Sequence, residues 1–113
     1  MNRIVRFIRD SVEDFKQHTA VKTRVSDGIK RLNSHGPVNW RLRVQGPAFS
    51  QHDMMMSSEC VLGRIYGSYC LGYTSLDIPA HKTMDYGFER VSTGENWSEY
   101  KRLAREWNRR LGL

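Results

Sequence analysis

Ile4, Ile8, Val12 and Phe15 open the chain one helical turn apart, and Val5 and Phe7 widen their stripe. This spacing predicts an amphipathic first helix. Its polar side alternates in sign, with Arg6 one turn from Asp10 and Arg9 one turn from Glu13. A face that neutralises itself in this way suits a helix packed on a core better than one lying on an anionic membrane. A second stripe follows at Val21, Val25, Ile29 and Leu32, out of phase with the first. The phase change predicts a break near His18–Thr19, with Thr19 as the cap of a second helix. Gly28 lies beside the second stripe, where a missing side chain permits close packing. Asn33 to Pro37 reads as a stop.

The period then changes. Trp40, Leu42 and Val44 alternate with Asn39, Arg41, Arg43 and Gln45, which predicts a half-buried strand over residues 38–45, closed by Gly46–Pro47. Met84, Tyr86 and Phe88 alternate in the same way with Asp85, Gly87 and Glu89 and predict a partner strand over 84–91. Between the two strands, AFSQHDMMMSS and DIPAHK read as loops. SECVLGRIYGSYCLGYTS carries Leu62, Ile65, Tyr66, Tyr69, Cys70 and Tyr73 at helical spacing. It is read as one middle helix, capped at Ser57 or Ser58 and ended at Gly72. Gly63 and Gly67 oppose a helix by about 1 kcal/mol each, and a strand pair turning at Gly67–Ser68 is the alternative. Trp97, Tyr100, Leu103, Ala104, Trp107 and Leu111 form one stripe at the end of the chain. The expected fold is a single α+β domain over 1–113, rich in helix. It has a small antiparallel sheet and a C-terminal amphipathic helix clamped by Trp97 and Trp107.

Composition narrows the class. With 39% hydrophobic, 27% charged and 11% aromatic residues, the 113-residue chain has the balance of an ordinary globular domain. No apolar run reaches membrane-spanning length, and the start lacks the pattern of a secretory leader, which points to an intracellular protein. Cys60 and Cys70 are too few for a disulfide framework and are expected as free thiols. The net charge of +6 is concentrated at the two ends. Residues 1–32 hold eight basic and four acidic groups, and 97–113 hold five and two, whereas 33–96 hold five and six. Such a balance favours an anionic partner.

The basic candidates follow from the predicted elements. Lys101, Arg102, Arg105 and Arg109 cluster on one side of the last helix, while Glu99 and Glu106 form a separate acidic strip. Lys101 with Arg105, and Arg105 with Arg109, are like charges one turn apart. That arrangement is mildly destabilising and suggests that the charge is used. Arg41 and Arg43 are expected on the outer face of the first strand. Arginine suits phosphate because its planar fork engages two oxygens together. Met54, Met55 and Met56, with Tyr66 and Tyr69, offer an adaptable apolar surface for a protein partner.

Catalytic chemistry finds little support. His52, Cys60, Cys70 and His81 match no metal-site spacing, and no phosphate loop, dinucleotide fingerprint or nucleophile elbow occurs. No cofactor and no enzymatic activity are expected. The glycine-spaced segment and GENWSEYKRLAREW resemble small phage and ribosome-associated proteins in a few scattered residues, and no residue role carries over. The favoured expectation is a small accessory protein that binds DNA or RNA, contacting phosphates through Arg41, Arg43, Lys101, Arg102, Arg105 and Arg109. The alternative is a small regulatory or inhibitory protein, of the kind phages encode, that binds an acidic or other protein partner. An enzyme without a recognisable motif comes third.

Overall fold

The computed structural model describes residues 20–91 and 97–113. The first helix expected over 4–15, the break near His18 and the cap at Thr19 lie outside those residues. All regular structure among the described residues is helical. Helix α1 covers residues 20–35. The short helices α2 (Trp40–Arg43), α3 (Gln51–Met55), α4 (Val61–Tyr66) and α5 (Tyr69–Ser75) follow. A 3-10 helix, η1 (Ala80–Tyr86), leads to the long α6 (Ser98–Leu111).

The expected antiparallel sheet is not present among the described residues, and both of its strands are corrected. Within residues 38–45, Trp40–Arg43 wind into α2. Trp40 and Val44 point inward and Leu42 is 76% exposed, so the inward positions are four apart rather than two. The Trp40 indole donates to Asn33 Oδ1 at 3.1 Å, and Val44 N–H returns to Trp40 O at 3.1 Å. The second segment, 84–91, begins inside η1, which is closed by Gly87, whose φ of 73° lies in the left-handed region and breaks any extended run. Its carbonyl accepts the Trp107 indole N–H at 2.8 Å instead of a strand partner.

The middle segment also differs from expectation. It forms two helices rather than one, divided at Gly67, which closes α4 with a φ of 95°. Ser68 starts α5 by accepting Leu71 N–H at 3.1 Å. Gly72 lies inside α5, where a Cβ would come within 2.6 Å of Leu62 Cβ, so it permits α4 and α5 to pack closely. The methionine stretch, expected as a loop, is α3. Ser50 and Asp53 cap it reciprocally, each side chain bonding the other's backbone N–H. DIPAHK likewise enters η1 at Ala80.

The two amphipathic stripes assigned to α1 and α6 hold. Val21, Val25, Ile29 and Leu32 are buried, as are Tyr100, Leu103, Ala104, Trp107 and Leu111. Helix α1 meets α6 at Gly28, where an added Cβ would lie 2.1 Å from Tyr86 O and 3.2 Å from the Trp107 ring. Helix α3 packs on α6, and α4 joins α5 to α2. Only one of the two tryptophans clamps α6. Trp107 is fully buried and stacks on Phe88 with ring centroids 5.5 Å apart, whereas Trp97 is 40% exposed and lies just before the helix.

Candidate nucleic-acid interface

The long helix fixes the geometry of the basic side chains. With its apolar stripe turned to the core, Lys101, Arg105 and Arg109 lie on the exposed side, each one turn from the next. Trp97 precedes Lys101 by the same interval. The acidic strip on this helix turns toward the protein. Glu99 faces Arg24 of α1 at 3.6 Å and accepts the Val91 backbone N–H. Glu106 is only 4% exposed and binds Arg109 through two hydrogen bonds, at 3.1 and 2.6 Å. The outward line of α6 is therefore cationic, with both acids of the helix engaged at its base.

The four α6 candidates are not equivalent. Lys101 and Arg105 are exposed and have no ion-pair partner among the described residues. The Glu106 carboxylate holds Arg109 in place, offsets its charge and pushes its guanidinium pKa further up. Arg102 is half-buried. Arg110 donates to Ser26 Oγ of α1 at 2.6 Å, so it serves helix packing.

Arg41 and Arg43 do not share a face. On a helix, residues two apart diverge, and the two guanidinium groups go separate ways. Arg41 lies over the Trp40 ring at 4.5 Å from its centroid, and Arg43 donates to Ile65 O at 3.5 Å.

Four of the five partner-binding candidates meet. Met54, Met55, Met56 and Tyr69 line a recess of about 90 Å³ with Ser57, Cys60, Phe88 and Glu89. Met54 is buried, while Met55 and Met56 are exposed at its rim. Tyr66 does not line it and lies near Arg43. Burial pushes the Tyr69 phenol up, and its hydroxyl shares a hydrogen bond with Thr83. Burial also pushes up the Cys60 thiol, which donates to Ser57 O at 3.7 Å and is poorly placed to act as a nucleophile.

A second, wide-open cleft of about 400 Å³ lies between α1 and η1, lined by Asp27, Lys30, Arg31, Ser34, Asp85 and Tyr86. Its charges are of both signs. Arg31 is already engaged with the Tyr86 ring and hydroxyl, at 5.3 Å and 3.3 Å.

No group of three or more His, Cys, Asp or Glu among the described residues is placed to hold a metal ion. No helix among them is long and apolar enough to cross a membrane.

Sequence reasoning missed the aromatic end of the α6 line. The Trp97 and Tyr100 rings are nearly parallel, 18° apart with centroids separated by 6.0 Å. The Arg90 guanidinium lies 4.3 Å from the Trp97 centroid and 5.4 Å from that of Tyr100. Tyr100 donates its hydroxyl to Glu89, which also accepts the Arg90 backbone N–H at 2.8 Å. Burial, together with the Glu89 carboxylate, pushes the Tyr100 phenol well up. The available signal was the i, i+4 spacing of Trp97, Lys101 and Arg105. Reading it required knowing that Trp97 leaves the core.

No protein-family model, no curated protein and no solved structure matches the chain.

Proposed function

We propose that the protein binds nucleic acid through the outward line of α6. The observation that carries this reading is the sorting of charge on that helix. Glu99 and Glu106 are turned inward and engaged, while Lys101 and Arg105 stand outward one turn apart. Two neighbouring cations without an acid beside them cost helix stability and gain from a polyanion. Lys101 and Arg105 are the principal phosphate contacts, and Arg109 is a weaker one. Arg41 and Arg43, which diverge, play no joint part.

The test is fluorescence anisotropy with labelled DNA and RNA across a salt series. The double variant Lys101→Glu, Arg105→Glu is measured beside the wild type. Both positions are exposed, so the variant is expected to melt like the wild type. Binding should weaken linearly in log salt, and the slope should flatten in the variant by roughly 0.7 to 0.9 per contact removed. Equal affinity in variant and wild type would sink the proposal.

A second reading rests on the methionine recess, which suits an apolar side chain of a protein partner. Under it, Met55→Ser, Met56→Ser would abolish a stoichiometric protein complex that the charge-reversed α6 variant retains.

A further inference from the structure

Resting on the nucleic-acid reading, we infer that the ligand is a single strand and that Trp97 is the platform on which one of its bases stacks. The chain has three tryptophans. Trp40 and Trp107 are in the core, and of the three only Trp97 is exposed, at 40%. An indole is a large flat ring with a polar N–H, a side chain suited to contact at a surface. This one is not loose. It is held against Tyr100 and under Arg90, and Tyr100 is anchored in turn by Glu89. Little side-chain freedom remains to be lost on binding, so a stacked base would meet a preformed surface.

Position along α6 completes the argument. Lys101 lies one turn beyond Trp97 and Arg105 one turn further, a rise of about 6 Å at each step. An aromatic ring followed by spaced cations is the arrangement that binds a base face and the phosphates running on from it. A duplex hides its base faces in the stack and presents only edges in its grooves. It could use the cations but not the ring. A single strand can use both, with sequence tolerance, because every base has a π-face.

The experiment uses the full chain with a fluorescently labelled oligothymidylate, a labelled mixed-sequence single strand and its duplex, at low salt. Wild type, Trp97→Ala, Trp97→Phe and the Lys101→Glu, Arg105→Glu pair are titrated. The inference expects the single strands to bind at least about tenfold more tightly than the duplex. Trp97→Ala should lose on the order of tenfold affinity for single strands and little for duplex. Trp97→Phe should keep most of the affinity, which separates loss of stacking from loss of fold. Unlabelled single strand should quench intrinsic tryptophan fluorescence in the wild type, and the quench should vanish in Trp97→Phe, where the remaining indoles are buried. If duplex binds as tightly as single strand and Trp97→Ala weakens neither, the inference is overturned while the charge-line reading stands, provided the charge-reversed pair still weakens binding. If no nucleic acid binds the wild type at all, both fall together.

Discussion

Helix α6 and the stretch from Trp40 to Val91 fold by different rules. Helix α6 is one run of 14 residues in which apolar side chains return every three or four positions, so one face can be buried and the other left for charge. The stretch before it is divided into four short helices of four to seven residues and one 3-10 helix. None is long enough to be stable alone, and each relies on its neighbours. The contrast has a functional side. On α6 the core settles the orientation of every side chain, so its cations form a line. On α2 the arginines are spent locally, one on the Trp40 ring and one on the Ile65 carbonyl. A line of charge requires a long element to carry it.

The contrast breaks most completely if α6 loses its anchor. Trp107 is fully buried, stacks on Phe88 and donates to Gly87 O, so it ties the long helix to the irregular stretch. Trp107→Ala should cost about 3–5 kcal/mol in urea or thermal unfolding. A loss below 1 kcal/mol would mean that the helix does not depend on this contact. Next in size is Gly28→Ala. The new methyl would press on the Tyr86 carbonyl, a backbone atom that cannot rotate away. A loss of about 1–3 kcal/mol is expected, although alanine is the better helix former. A stabilised variant would refute the close approach of α1 and η1.

How far the sequence exposes this structure depends on length and on uniqueness of period. The α1 stripe of Val21, Val25, Ile29 and Leu32 spans three turns and admits only a helix. Trp40 and Val44 do not, because positions four apart are inward both in a strand and in a helix. Leu42 alone distinguishes the two. The Ser50 to Asp53 capping pair was present in the sequence, but the three methionines beside it read equally well as loop filler. Gly87 falls on the polar side of an apparent strand, and its left-handed φ, close approach to Val25 and bond to the Trp107 indole show that it is a turn. In the candidate site, the cations were legible from spacing. The inward turn of Glu99 was not, since its partner Arg24 lies 75 positions away and is joined to it only by the packing of α1 on α6.

A smaller effect separates the buried hydroxyls and thiol of the protein from the solvent-facing line of α6. Burial raises Cys60 and Tyr69, and burial with Glu89 raises Tyr100, all above their ordinary values of 9.0 and 10.0. Below those values both folded and unfolded chains hold the protons, and no stability is lost. As pH rises past them the unfolded chain ionises first, so stability falls with increasing pH from about 9 upward. At pH 10.5 each tyrosine accounts for less than about 1 kcal/mol. Urea midpoints between pH 8.5 and 10.5 should decline, and Tyr100→Phe should make the upper part of that decline shallower. A profile flat to pH 10.5 would show that these groups remain as accessible as in the unfolded chain.

The smallest expected effect gives the sharpest discrimination between the two ways of reading residues 38–45. In a strand, Leu42 would lie between Trp40 and Val44 on the buried face, and a charge there would be strongly destabilising. In α2 it stands 76% exposed, on the side of the helix away from both. Leu42→Glu should therefore change stability by no more than about 0.5 kcal/mol, the usual range for a surface site. Trp40→Ala, two positions away, should cost several-fold more, because it opens the core and removes the indole hydrogen bond to Asn33 Oδ1. If Leu42→Glu instead cost as much as Trp40→Ala, the inward period would be two, α2 would be wrong, and Arg41 and Arg43 would again share a face on which phosphate could sit.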